Sequence, residues 1–307
     1  MQVSRTIKGV IPVVQTPLNK DESVDVPALR RLIEFLVSKK VGGFWALGTG
    51  SEDMNLSYKK RLLVAQTVAE ANAGRLPLVM GAGFFALEDI LSFINDVRDL
   101  QFDAYHVMPY HPLLGLDRME WFYKRIADAA PKPLWMYTSA NWCRAFTPEF
   151  VTKLKSHPNI AGIKFSNSKT TEQIRVLALQ EPGFQIITAV ASQFYACLSM
   201  GSQAGTTSLA SALPEPLLEI YALFSAGKHA EALAAQRKLT AFLADMPKTA
   251  KNHNFLTAAE EKYMLSRRGI CQIFTTSYYA GLEPADQKLV DAALEKHGYS
   301  QYVVPAS

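Results

Sequence analysis

Eight short apolar runs interrupt the first two thirds of this chain, and the segments between them carry helical spacing. The runs span residues 9–14, 43–47, 76–83, 103–109, 132–137, 160–165, 184–190 and 204–209. Each is apolar on both faces, as parallel strands covered by helices are. Between them, residues 26–40 place Leu29, Leu32, Ile33, Phe35 and Leu36 mostly on one side. Residues 58–73, 87–100 and 117–130 follow the same spacing, and residues 147–157 open with Thr147 as N-cap, Pro148 at the first helical position and Glu149 soon after. Eight strands alternating with helices imply a (β/α)8 TIM barrel, an α/β fold. A doubly wound sheet is the alternative, weakened because no GxGxxG turn follows the first run. Residues 210–303 remain helical in pattern and exceed what one closing helix needs. The expected division is a barrel over 1–225 and a C-terminal helical region over 226–307, of two or three helices packed on the barrel.

Composition removes several functions. The net charge is only +4, from 32 Lys plus Arg against 28 Asp plus Glu, and no basic run marks a nucleic-acid footprint. Cys143, Cys197 and Cys271 are far apart and odd in number, which suggests neither a disulfide framework nor a CxxC metal site. No apolar run approaches the roughly 20 residues of a membrane span, and the opening MQVSRTIKGV lacks a signal peptide's apolar core. The expectation is a cytoplasmic protein without membrane or nucleic-acid partners. Strand ends hold no His, Asp and Glu cluster at metal-ligand spacing, and no Gly-Lys-Thr/Ser phosphate loop occurs, so no metal is expected. Gly201 and Gly205 give only a weak hint of a phosphate pocket.

Function in such a barrel sits at the C-terminal strand ends. There, Lys164 lies inside the apolar run IAGIKF. Buried, its amine would lose charge and become nucleophilic, able to form an imine with a ketone. Tyr137, ending the preceding run, is placed to shuttle protons. The competing reading is a lysine that snorkels to solvent beside a tyrosine that only packs. The loop Gly48-Thr49-Gly50-Ser51-Glu52 also has two readings. Its amides would cradle a carboxylate, with the Thr49 hydroxyl bonding Tyr137, or it is a plain strand-to-helix turn.

Taken together, these motifs resemble the dihydrodipicolinate synthase and N-acetylneuraminate lyase family of Schiff-base class I aldolases and dehydratases. The resemblance spans roughly residues 7 to 300. It rests on Thr16-Pro17 after strand 1, the Gly48–Glu52 loop, Gly81-Ala82-Gly83, Pro109-Tyr110-His111, Tyr137 ending strand 5 and Gly162-Ile163-Lys164. It implies that Lys164 forms an imine with pyruvate or another 2-oxo acid, with no other cofactor. Tyr137 would be the proton relay, and Thr49 would connect it to solvent or substrate. The amides of Thr49 and Gly50 would hold the carboxylate, and the Thr206 backbone would face the lysine. It implies a homotetramer, a dimer of dimers, in which a residue near Tyr110 reaches the neighbouring subunit's site.

The departures fall in the loops. Gly50 stands where the family has a second Thr, and His111 where it has a second Tyr. His111 is either a titratable group entering the neighbouring site or a plain loop histidine. The synthase's arginine position falls near Trp142, so Arg144 either substitutes or the acceptor is not a dicarboxylate. Ser139 and Asn141 complete the candidate substrate contacts. After strand 7, Ala189, Val190 and Ala191 replace a polar set, which disfavours a highly hydroxylated tail there. The implied activity is aldol cleavage or condensation, with dehydration of a 2-keto-3-deoxy acid as the alternative. A non-catalytic 2-oxo acid-binding barrel and an unrelated phosphate-binding barrel are the readings of other classes.

Overall fold

The computed structural model describes residues 6–139, 142–247, 254 and 256–304. Eight strands form one parallel sheet: β1 (Gly9–Pro12), β2 (Phe44–Ala46), β3 (Leu78–Gly81), β4 (Ala104–Val107), β5 (Leu134–Ser139), β6 (Ile160–Ser166), β7 (Gln185–Thr188) and β8 (Ala204–Thr207). Their order runs β1-β8-β7-β6-β5-β4-β3-β2. Val13 and Trp45 bridge the two edges, and the Val14 N–H donates to the Trp45 carbonyl at 3.0 Å. The sheet therefore curls into the (β/α)8 barrel that the alternating runs imply. Six strands lie within those runs, and β5 and β6 extend past theirs to Ser139 and Ser166, because each strand buries one face in the barrel and the other under helices.

The barrel helices are α1 (Val26–Ser38), α2 (Tyr58–Asn72), α3 (Leu87–Asp96), α4 (Leu116–Ala129), α5 (Pro148–Lys155), α6 (Thr170–Leu177), α7 (Phe194–Ser199), α8 (Leu209–Ala212) and α9 (Glu215–Ser225). Thr147 caps α5 by accepting from the Phe150 N–H at 3.2 Å, as its spacing implies. Leu29, Leu32, Ile33 and Leu36 form the buried stripe of α1. Phe35 departs from it. The ring is half-buried and receives the Arg268 guanidinium at 4.8 Å from its centroid.

Beyond the barrel lie α10 (His229–Asp245), α11 (Ala258–Arg267) and α12 (Pro284–Lys296). The sequence over 215–246 reads as one helical stretch, but the chain reverses at Gly227, where φ is 72°. A left-handed residue ends a helix, and glycine adopts that conformation without a Cβ clash. The Lys228 N–H then donates to the Leu223 carbonyl at 2.9 Å, and α9 and α10 pack as a hairpin. Helix α11 packs on α8, and every residue from Ala258 to Leu265 is buried. Among the described residues no helix is long and apolar enough to cross a membrane.

Candidate active site

Parallel pairing of β5 with β6 sets Tyr137 beside Lys164. Lys164 is buried, at 3% exposure, which removes the snorkelling alternative. Its Nζ lies 4.0 Å from the Tyr137 ring centroid and 5.2 Å from that of Trp45. Burial pulls the ammonium down to about 7, partly opposed by the charge of Asp53. Near neutrality a large share of this amine is therefore uncharged. The Tyr137 hydroxyl hydrogen-bonds Thr49 Oγ1 at 2.8 Å. Burial pushes the phenol upward against that bond, so it stays protonated. The Tyr123 hydroxyl on α4 accepts from the Tyr137 N–H at 3.2 Å and donates to the Val107 carbonyl at 2.8 Å, which ties β4 to β5 beneath the phenol.

Two residues here escape sequence reasoning. Trp45 stacks on His106 with centroids 4.2 Å apart, and Trp45 meets Tyr137 edge-on at 6.0 Å. The His106 Nε2 lies 2.9 Å from the Ala46 carbonyl, so the Nε2–H tautomer fits, and burial holds the imidazole neutral. In apolar strands both residues read as core filling, which leaves no separate signal.

The Gly48 loop makes two consecutive 3-10 turns, Thr49–Ser51 and Asp53–Asn55, joined by Glu52 at φ 63°. Ser51 requires a correction. Its N–H and hydroxyl both donate to the Gly48 carbonyl, at 2.9 and 2.7 Å, so they hold the turn and are not free to cradle a carboxylate. Gly50 has a steric cause. A Cβ there would lie 2.7 Å from Ser208 Cβ. Behind the loop, the Gln15 side-chain amide donates to the Gly50 carbonyl at 2.7 Å and to Glu261 at 2.5 Å. Glu261 also accepts from Ser208 and Thr257 hydroxyls, each at 2.8 Å, while burial raises it to about 8 against these donors. Gly50→Ala is expected to destabilise the protein by about 1–3 kcal/mol in thermal melts, with partial recovery in Gly50→Ala/Ser208→Gly. An unchanged melting temperature in the single variant would contradict the contact.

The remaining candidates divide. Tyr110 is buried and donates to both Asp53 oxygens, at 3.3 and 3.2 Å, and it meets Trp142 edge-on at 5.6 Å. Thr206 is buried on β8, and its hydroxyl has no partner among the described residues. Ser139 ends β5, and its carbonyl accepts from the Trp142 and Cys143 N–H groups. His111 packs tilted against Phe85 with centroids 4.5 Å apart and lies edge-on to Phe122 at 6.0 Å, outside the Lys164 cluster of its own chain. Arg144 is exposed, and among the described residues no hydrogen bond or ion pair ties it to the site. Asn141 lies outside the described residues. Gly205 has a packing cause, because a Cβ there would strike the Phe194 ring at 2.5 Å. Among the described residues no group of three or more His, Cys, Asp and Glu could hold a metal ion.

Fold and site together define a (β/α)8 barrel with a buried amine and a buried phenol side by side at the C-terminal ends of adjacent strands. The chain belongs to the dihydrodipicolinate synthetase family, whose model matches residues 6–272. It is 30% identical over 247 residues to the 4-hydroxy-tetrahydrodipicolinate synthase of Methylococcus capsulatus, covering 78% of this chain and 83% of that one. It is 25% identical to the probable 2-dehydro-3-deoxy-D-pentonate aldolase YjhH of Escherichia coli, covering 76% and 80%. The dihydrodipicolinate synthase structure from Bacteroides thetaiotaomicron superposes with a TM-score of 0.88 at 24% identity, over 94% of this chain and 98% of that one.

Proposed function

We propose that this chain is an aldolase-type lyase that works through an imine between Lys164 and pyruvate or a related 2-oxo acid. The observation that carries this reading is a buried, largely neutral amine beside the Tyr137–Thr49 hydrogen bond. The Lys164 amine attacks the C2 carbonyl carbon to give a carbinolamine. The departing hydroxyl takes a proton from Tyr137 and leaves as water, and Thr49 relays a proton back to the phenol. The resulting iminium withdraws electrons from the bonds at C3. In cleavage the C3–C4 electron pair moves into the iminium to give an enamine while the C4 hydroxyl gives up its proton and becomes a carbonyl; in condensation a C3 proton leaves first and the resulting enamine attacks the acceptor carbonyl, and in dehydration the same enamine expels a hydroxyl at C4 as water. Hydrolysis returns the amine. No further cofactor enters this sequence.

The synthase and aldolase relatives support the reaction class. The loops narrow the acceptor. Ala189, Val190 and Ala191 are half-buried and carry no polar side chain, and Arg144 is exposed to solvent. These features favour an acceptor that is neither a dicarboxylate nor a long polyol. Self-association into a dimer of dimers fits the exposed Phe85 and Leu113, 65% and 92% accessible on either side of His111, which a second copy would cover.

Borohydride reduction with pyruvate tests the imine. The expected adduct maps to Lys164; an adduct on another residue, or none with any 2-oxo acid, sinks the proposal. Tyr137→Phe is expected to slow both adduct formation and turnover, by about 10²–10⁴-fold, while the adduct trapped after long incubation still maps to Lys164. An unchanged rate of adduct formation would contradict the relay.

A further inference from the structure

The indole of Trp45 faces the nitrogen of Lys164. Trp45 on β2, His106 on β4 and Lys164 on β6 come from alternate strands, which supply the side chains of one barrel layer. Lys164 Nζ sits over the indole, 5.2 Å from the ring centroid. The indole is fully buried and held by three other rings. It stacks on His106 at 4.2 Å with 20° between the planes, and meets Trp135 and Tyr137 edge-on at 6.1 and 6.0 Å. Two glycines make room for this stack. A Cβ at Gly48 would lie 2.9 Å from Trp45 Cδ1. One at Gly81 would lie 2.1 Å from the Leu47 carbonyl oxygen and 2.8 Å from His106 Cε1.

We propose that the indole face of Trp45, braced by His106, stabilises the cationic imine that forms at Lys164. The inference rests on the imine reading above. In that reaction the amine adds to C2 and gives one proton to the new hydroxyl. A second proton, from Tyr137, carries the oxygen away as water, and the nitrogen keeps its remaining proton and a positive charge. That charge forms where water is excluded, and an electron-rich ring face offsets part of its desolvation. The charge of Asp53 also bears on Lys164, but its own ion pair is with Arg61 at 3.5 Å. The Tyr137 ring lies closer, at 4.0 Å, but an indole is the stronger cation-binding face. An aromatic face also suits the attack. A carboxylate against the amine would hold its proton in place, whereas the weaker pull of a ring lets the amine become neutral. His106 bonds the Ala46 carbonyl through Nε2 at 2.9 Å, and burial keeps its imidazole uncharged, so it brings no second cation to the indole.

The test is the initial rate of adduct trapping by cyanoborohydride against pyruvate concentration. It is run at about pH 5.5 and about pH 8, on either side of the Lys164 value of about 7. At about pH 8 the free amine is neutral and the charge appears only in the imine, so Trp45→Leu is expected to raise half-saturating pyruvate about tenfold. At about pH 5.5 the free amine is already a cation over the same ring. The loss then falls on both states, and half-saturation should move less than about twofold. Trp45→Phe keeps a ring and should fall between wild type and Trp45→Leu at about pH 8. The titratable and charged groups around the amine are Asp53 after β2, at about 6, His106 on β4, Tyr137 on β5 and Arg61 on α2. All the proteins compared share them, so the ratio of variant to wild type is read at each pH. Lost packing alone would change half-saturation equally at both pH values; that result overturns the inference, as does no change at either. Trp45→Leu opens a cavity, so a tryptophan fluorinated on its benzo ring is placed at position 45 in parallel. It keeps the shape, draws electron density from the face and should reproduce the rise at about pH 8. Fluorinated protein with wild-type half-saturation there overturns the inference whether or not Trp45→Leu folds. Wild-type protein that traps no 2-oxo acid overturns the imine reading and this inference together, an outcome distinct from trapping with unmoved ratios.

Discussion

Lys164→Met is expected to form no trapped adduct, to lose turnover by roughly four orders of magnitude or more, and to melt at a higher temperature than wild type at neutral pH. Under the proposed imine chemistry, loss of the amine removes the electron sink, and no other described lysine pairs with Tyr137 across β5 and β6. The gain in stability follows from the shift. Lys164 falls from the ordinary lysine value of 10.5 to about 7 in the folded chain. Between those values the unfolded chain binds more protons, so wild-type stability rises with pH there. The deficit is fully present below about pH 7 and gone above the unfolded value. Its size at neutral pH is on the order of 4 kcal/mol. Methionine fills similar volume and carries no such deficit. Asp53 retains Arg61 and Tyr110, so the substitution does not leave it without partners. Melts at about pH 7 and about pH 10 check the sign: the variant's advantage should shrink as pH rises. A variant less stable than wild type at neutral pH would contradict the account of a desolvated amine.

The barrel was legible because its strands are apolar on both faces and its helices on one, so two different periodicities alternate along the chain. Lys164 and Tyr137 were legible for a related reason: polar groups in apolar runs stand out. The supporting network was harder to see. Arg61 follows Lys59 and Lys60 and reads as part of a solvated charge run, yet it shares a face with Val64, Ala65 and Val68, all buried. That spacing was the available signal. Glu260 and Glu261 sit in a helix buried from Ala258 to Leu265, where no polar face exists to reveal which residues turn inward. Ser51 looked like a ligand group because the sequence cannot show that both its donors close its own turn. Arg144 and His111 were candidates by position in the loops, and loop side chains have no periodicity that fixes their direction.

Lys262→Met should be the most destabilising change outside the Lys164 cluster, at about 3–5 kcal/mol. Lys262 and Glu52 form an ion pair at 2.5 Å with both side chains fully buried. The second Glu52 oxygen accepts from the Thr276 N–H and hydroxyl, each at 2.7 Å, and Lys262 donates to the Phe274 carbonyl at 2.8 Å. Glu52 thus ties the Gly48 loop to the C-terminal segment, with Thr276 lying 224 positions away in sequence. Methionine in place of Lys262 would leave an uncompensated carboxylate away from water, and the large expected cost is that of the stranded charge. Glu52→Leu/Lys262→Met removes both charges and should recover much of the melting temperature. It should not recover turnover, because Glu52 also holds the left-handed turn between Thr49 and Asp53, and its bonds to Thr276 would be gone. Thermal melts and turnover measured on the same two variants separate these effects. A single variant costing less than about 1 kcal/mol would place the pair among ordinary surface bridges. A double variant with full turnover would show that the loop keeps its shape without the C-terminal anchor.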